Sequence, residues 1–573
     1  MKKQNLRSYA LIAVAAATTI ACNPLNNMTK RANEVTYSVV PNPLEMHADS
    51  IEVSISGAVP PKFFNKKVSV EVTPVLNYGE QETSFDKIIL VGEESEVEGQ
   101  KIAYEKGGNF AYSAKIPYAD GMGVATLNAV AVGKYGTKEK AFPAKEIATG
   151  TITTPMWVEE DYMFALGKDK FQKTYPMSTE ATINYEVNRS TVRSSELKDE
   201  DMAAMKSWIE EKAGNPMFVF KGGSVVAYAS PEGELSLNEN LAKDRAESGA
   251  KAVQSIMKRN KVEAASNKEY FALSPKGEDW DGFKKAMQAS DIEDKDLILR
   301  VLEMYEDKAK REQEIRNLAA TFEVLQEEIL PGLRRSIIKV DGEMTSFSDE
   351  KIKEFSKSNP DTLSAEELLY AATMTDDMDE KLRIYKAFSE LHAKDWRGPN
   401  NVGYIMAMNG DMEGAKAEFD KAASLDPENG VIVNNLGVYA QANGDVDKAM
   451  EHYNKSNTPE SGANAGYVYI KRGDYAEAVN SFGAVNSFNA ALAQTLNKDY
   501  QEALQSIDES DEADEPESYY LKAVIGARMK DKNMVVTNLK SAVSKDAALK
   551  DKAKMDAEFN EYKDDSEFQA AVN

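Results

Sequence analysis

The chain has 573 residues, 42% of them hydrophobic, with 94 acidic side chains against 69 basic ones and a formal charge of −25. That is apolar material for several cores, about three or four domains by length, behind a surface that repels nucleic acid and anionic headgroups. A single cysteine excludes intrachain disulfides and cysteine metal sites, and His47, His392 and His452 stand far apart without ligand spacing, so neither metal nor cofactor is expected.

The first 21 residues carry Lys2, Lys3 and Arg7, an apolar run over 10–21, and small residues before Cys22. This is the three-part plan of an export signal. The run is too short to cross a hydrocarbon layer roughly 30 Å thick. The site Thr19-Ile20-Ala21-Cys22 resembles the lipobox of bacterial lipoproteins, with threonine in place of the usual leucine. The resemblance implies cleavage before Cys22, acylation of that residue and a membrane held by lipid alone. Removing the three basic residues of the signal takes the charge from −25 to about −28. Residues 22–33 are polar and aperiodic and read as a tether.

Over 34–155 the sequence is strand-like, with β-branched and polar residues alternating at 35–40, 51–56, 67–73, 87–91, 109–114 and 123–132 between Gly and Pro breaks. About 120 residues of this pattern suggest an immunoglobulin-like β-sandwich. No paired carboxylates or nucleophile constellation occurs in it. Residues 156–180 read as a connector.

Within 181–345, extended segments at 181–187 and 224–229 flank a helical stretch at 198–212. The turn Ser230-Pro231-Glu232-Gly233 then opens an amphipathic helix with Asn238, Leu241, Arg245, Ala246, Val253 and Ile256. The intervals Gly233 to Asn238, Asn238 to Leu241 and Leu241 to Arg245 resemble those of the OmpA-like domain, in the form found in the Bacteroides group. The resemblance implies an α+β fold and a peptidoglycan site, in which a turn aspartate and the helical arginine meet the charged groups of the peptide stem. Arg245 takes the arginine position, where a guanidinium can clamp a carboxylate or serve a structural salt bridge. Ser230 takes the aspartate position, so one charge-assisted contact is missing unless Glu232 replaces it. Asn238 reads as a helix cap or turn residue. Glu278, Asp279 and Asp281 lack the spacing of a Ca²⁺ loop and read as a solvated turn over a packed Trp280. A charged helical insertion is expected over about 281–331, before a last strand near 335–340.

Residues 346–362 read as a linker and 363–573 as an all-α repeat. Gly403, Gly410-Asp411, Ala415 and Phe419 recur as Gly437, Gly444-Asp445, Ala449 and Tyr453 after 34 residues, and as Gly466, Gly473-Asp474, Ala478 and Phe482 after a further 29. A 25-residue step leads to Asp499-Tyr500 and Ala503, and a degenerate pair closes the array at 518–543. The 34-residue period resembles tetratricopeptide repeats, which implies a superhelical solenoid with a concave binding face. Most repeat residues are then core. Asn401, Asn434, Asn435 and Asn464, on the first helices, are candidates for the binding face.

Asp49-Ser50-Ile51 and Asp361-Thr362-Leu363 resemble the short O-glycosylation site of exported Bacteroides-group proteins. The whole reads as a non-enzymatic lipoprotein of the outer membrane, a scaffold for a protein complex such as β-barrel assembly or export machinery. The second reading is an anchor to peptidoglycan through Arg245, separable from the first by a pull-down on cell wall. No acidic residue follows Cys22 within 23–27, which favours the periplasmic face over the cell surface.

Overall fold

The computed structural model describes residues 24–317 and 319–573, so Cys22 and the signal lie outside the described residues. No helix among the described residues is long and apolar enough to cross a membrane. The chain divides into two compact units, 24–167 with 393–573, and 168–392.

The first unit begins with β structure. All six expected strands are present, as Thr36–Val40, Ser50–Val59, Ser69–Tyr78, Ile88–Gly92, Gly108–Pro117 and Thr126–Tyr135. Six shorter ones accompany them: Leu44–His47, Gln81–Ser84, Gln100–Ile102, Lys138–Ala141, Lys145–Thr149 and Thr151–Ile152. They form a five-stranded sheet centred on Ser50–Val59 and a seven-stranded sheet built on Ser69–Tyr78 and Thr126–Tyr135. Alternate residues of both sheets meet in two clusters, one around Phe63, Phe64, Val70, Leu90 and Phe110 and one around Val53, Ile55, Leu76, Ile116 and Leu127. Of the expected tether at 22–33, the described residues 24–33 are structured. Pro24–Lys30 is a helix whose Leu25 and Met28 complete the first cluster, and removing that apolar area from water outweighs the polarity of its neighbours.

The same unit continues at residue 393 as antiparallel helix pairs: Arg397–Met408 with Met412–Leu425, Gly430–Ala442 with Val446–Ser456, Pro459–Arg472 with Tyr475–Phe482, Phe488–Asn497 with Tyr500–Asp508, and Pro516–Arg528 with Lys532–Lys545. The repeat residues explain the geometry. A Cβ on Gly403, Gly437 or Gly466 would lie 2.7, 2.7 or 2.5 Å from the ring of Phe419, Tyr453 or Phe482, so only glycine lets the two helices of a pair close on that aromatic. In each Gly-Asp, the glycine takes a left-handed φ of +85°, +81° or +80° at Gly410, Gly444 and Gly473. Asp411 and Asp445 then cap the second helix by accepting from the N–H of Gly414 and Lys448. The array ends under Leu549–Met555 and Ser566–Val572; Phe559 between them, with Phe568 and Val572, closes its last core.

Sandwich and solenoid meet inside this unit. The His47 ring lies edge-on to Tyr475 at 5.3 Å and against Gly473. Buried Arg528 grips Glu558 through Nε at 3.0 and 3.1 Å, and Glu558 also accepts from the Thr154 hydroxyl. Burial works against the Arg528 charge, but Glu558, with Glu45 behind it, outweighs that and raises its pKa above the ordinary value.

The second unit holds a four-stranded sheet in the order Thr174–Asn184, Arg335–Thr345, Phe218–Ala229, Phe271–Glu278. The last two are parallel and the other neighbours antiparallel. Helices Glu200–Ala213 and Leu235–Arg259 cover one face, with Met202, Met205, Ala246, Val253 and Met257 against Ile183, Val225 and Ile338. The insertion forms helices Trp280–Ala289, Lys295–Met304, Lys308–Arg316, Ala319–Glu328 and Leu330–Leu333 with a core of its own. Two boundaries differ from expectation. The first strand begins at Thr174, inside the expected connector, and the expected linker at 346–362 contains helix Asp349–Ser358, capped by Ser348 and burying Ile352.

Gly437→Val is expected to force the Tyr453 ring out of its place and cost about 1–3 kcal/mol, read as a fall in the urea midpoint with unchanged slope. Gly444→Ala, in open space but at positive φ, is expected to cost about 1 kcal/mol through backbone strain alone.

Candidate functional site

The inner helices of the repeats carry asparagine at one position. Asn401, Asn435, Asn464 and Asn489 each stand two residues before Gly403, Gly437, Gly466 and Ala491, so the 34-, 29- and 25-residue steps carry the amides along the array. Along these amides runs the chain's own segment 158–167, the first half of the expected connector, with no regular secondary structure.

Each amide holds one residue of that segment by both backbone groups. Asn401 Oδ1 accepts from Gly167 N–H and its Nδ2 donates to Gly167 C=O, both at 2.8 Å. Asn435 does the same with Ala165 at 2.7 and 2.8 Å, Asn464 with Met163 at 3.0 and 2.9 Å, and Asn489 with Glu159 at 2.8 Å for both bonds. Residues 163, 165 and 167 therefore present their polar groups to one side, the two-residue period of an extended chain.

A second set of amides cross-braces the first. Asn434 Nδ2 donates to Met163 C=O and Asn400 Nδ2 to Ala165 C=O. Between side chains, Asn464 donates to Asn434, Asn434 to Asn435, Asn435 to Asn400 and Asn400 to Asn401, at 3.0–3.1 Å. All five are at most 1% exposed. Both hydrogens of Asn400, Asn434, Asn435 and Asn464 are used, and this bonding fixes which way each amide faces.

Side chains anchor the ends. Trp157 lies edge-on to Tyr520 at 5.1 Å, and Lys552 Nζ sits 4.0 and 4.6 Å from the two rings. Burial lowers the Lys552 pKa. Phe164 stacks on Phe419 at 6.0 Å, and a Cβ on Gly167 would lie 2.8 Å from the Arg397 side chain. Asn401, Asn434, Asn435 and Asn464 thus lie together on the concave face and hold a peptide backbone that belongs to the same chain. Two further members, Asn400 and Asn489, were legible only by extending the period: the 25-residue step from Asn464 lands on Asn489.

The second candidate site is arranged differently. Arg245 is 1% exposed and turns inward. Its Nε donates to Arg189 C=O, Nη1 to Tyr228 C=O and Nη2 to Glu186 C=O, at 2.9–3.2 Å, with Tyr185 stacked 5.3 Å away. Burial pulls its pKa down to about 10. The Ser230 hydroxyl, also buried, donates to Glu232, and Glu232 pairs with Arg334 at 2.9 Å. Gly233 N–H donates to Glu312 of the insertion, so the turn is capped from above. Asn238 is not a cap: it lies inside helix Leu235–Arg259 and donates to Glu278 at 2.9 Å. Nor is the acidic turn solvated. Glu278 also accepts from Trp280 Nε1, and Asp279 caps helix Trp280–Ala289 and pairs with Arg335 at 2.7 Å; only Asp281 is exposed. No group of acidic, histidine or cysteine residues suited to a metal occurs among the described residues. Of the two glycosylation-like sites, Ser50 is buried and bonded to His47 C=O, whereas Thr362 is exposed.

No family model matches the chain, and no curated protein matches it. Among solved structures it is similar to pilF of Pseudomonas aeruginosa, at 13% identity over 39% of this chain and 97% of that one with a TM-score of 0.27. It is also similar to a tetratricopeptide repeat protein of Parabacteroides merdae, at 16% identity over 39% of this chain and 91% of that one with a TM-score of 0.26. The yeast protein Tom70 aligns at 12% identity over 56% of this chain and 80% of that one, with a TM-score of 0.26. The C-terminal helix pairs form an all-α repeat array.

Asn435→Ala leaves a buried N–H and weakens two neighbouring amides, an expected loss of about 2–4 kcal/mol, with hydrogen exchange accelerated first at Met163 and Ala165. Partial burial, then the like charges of Glu512, Glu517, Asp161 and Glu515, raise the Glu159 pKa above its ordinary value of 4.5. The folded chain therefore holds the Glu159 proton more tightly than the unfolded one, and the segment gains stability as pH falls through the raised value towards 4.5. The protection factor of the Glu159 amide, its exchange relative to the intrinsic rate at each pH, should rise over that window in the native chain and stay flat in Glu159→Gln.

Proposed function

We propose that the chain is a non-enzymatic scaffold for protein–protein interaction. The amide ladder of the concave face carries this reading: it recognises extended polypeptide through main-chain groups, and nothing in it performs chemistry.

We further propose that acylated Cys22 holds the scaffold at the outer membrane, on the periplasmic face, beside a β-barrel assembly or export complex. The lipobox-like sequence and the lack of acidic residues over 23–27 support this placement. Residues 34–155 then act as an immunoglobulin-like spacer, and residues 181–345 as a divergent OmpA-like module kept for its shape. The inward Arg245 and the internal pairing of Ser230, Glu232 and Arg334 favour this over a wall anchor, because a stem-peptide carboxylate would have to displace three backbone carbonyls from a buried guanidinium.

Full-length protein solubilised from membranes is expected to co-purify with an outer-membrane β-barrel protein, identified by mass spectrometry; recovery of the chain alone would count against the scaffold. On purified peptidoglycan the folded protein is expected to stay in the supernatant. Arg245→Ala should lower stability by about 3 kcal/mol by removing three hydrogen bonds from a buried guanidinium, without changing that partition.

A further inference from the structure

The segment in the groove is not equally well held along its length. Rungs fall on residues 163, 165 and 167, two apart, but the next lies four residues away at 159. Between them the chain is kinked, with Asp161 N–H bonded to Glu159 C=O and the Tyr162 hydroxyl turned to Glu160. This stretch, Glu159-Glu160-Asp161, is also the acidic part of the segment, and Glu159 lies in the field of Glu512 and Glu515 from the loop before helix Pro516–Arg528 and of Glu517 in its first turn, with Glu512 accepting from the N–H of Phe488 beside Asn489. Like charges thus oppose one another where the ladder is thinnest.

The rest of the groove reads no charge. Its asparagines meet the segment only through main-chain N–H and C=O, which every non-proline residue supplies, and its apolar positions take Trp157, Phe164, Ala165 and Gly167. An extended chain with the same small and aromatic residues, but with cations opposite Glu512, Glu515 and Glu517, satisfies every rung and turns the repulsion into attraction.

We propose that residues 157–167 are an internal stand-in for an external ligand, and that the groove accepts in trans an extended, apolar polypeptide segment with basic residues where this chain has Glu159-Glu160-Asp161. The inference rests on the scaffold reading and specifies its partner. The resident segment competes as a tethered ligand, so the external one must outbid a high local concentration, and its charge supplies the difference. Exchange begins at the kink, where the fewest bonds are broken.

The test uses the full-length protein and two fluorescein-labelled synthetic peptides, residues 157–167 as they stand and the same peptide carrying E159K, E160K and D161K. Fluorescence anisotropy is expected to show the basic peptide binding at least tenfold more tightly than the native one, with the advantage shrinking as salt is raised. Asn435→Ala with Asn464→Ala should abolish binding of both. A second variant, Met163→Pro with Ala165→Pro in the full chain, removes two resident N–H donors and should strengthen binding of both peptides; circular dichroism checks that its helices persist. Equal binding of the two peptides would overturn the charge argument. No binding to either protein would make the segment a permanent strut and overturn the proposal, while co-purification of a partner under that result would leave the scaffold reading intact.

Discussion

A polypeptide buried among helices must find hydrogen bonds for its main chain, and helices have none to give. Their own N–H and C=O groups are used within each turn, so an extended segment in a helical groove has no strand beside it and depends on side chains. Asparagine is suited to this task because its amide carries a donor and an acceptor in one plane, as the peptide group does, on a short side chain that loses little freedom when fixed. The repeat places one such amide on each inner helix from Asn401 to Asn489, and the neighbouring Asn400 and Asn434 take the second hydrogens of Asn435 and Asn464 and donate to Asn401 and Asn435. A buried polar network is stable only when complete, and along 163–167 this one is.

From that constraint follows the organisation of the first unit. The β-rich region cannot be a loosely tethered neighbour of the solenoid, because the chain leaving it at Thr151–Ile152 passes through Trp157 straight into the ladder. The joint above it uses another kind of interaction: a buried Arg528 that would be costly alone is held by Glu558, itself bonded to Thr154 on the β side. Main-chain bonding fixes the segment and a charge pair fixes the corner. Their loss has different consequences, local release in one case and a stranded buried charge in the other.

Much of this was legible in the sequence, and the reasons are local. Alternation revealed the six long strands, since each buries one face. The 34-residue recurrence of glycine and aromatic revealed the helix pairs, because each glycine admits one ring. The four asparagines stood out by position. Their occupant did not: 156–180 has no periodicity, since its residues are held by main-chain groups that every sequence shares. The tether and linker were misread for a related reason. Pro24–Lys30 and Asp349–Ser358 are polar helices that bury only one or two residues each, Leu25 and Met28 in one and chiefly Ile352 in the other, too few to mark a period against the background.

The second unit separates what a motif specifies about packing from what it specifies about ligands. The spacing around Arg245 places the residue where helix Leu235–Arg259 crosses the sheet, and the fold there turns three carbonyls, from Glu186, Arg189 and Tyr228, towards it. A guanidinium answers that need whether or not a ligand exists. With serine at residue 230, the turn's one carboxylate is Glu232, which pairs with Arg334, and the Gly233 N–H is taken by Glu312 from the insertion. Each polar group that could have met an outside molecule has found an inside one. The groove of the first unit shows the same arrangement, where the asparagines hold 159–167: in both places the polar groups are met by partners that the chain itself supplies.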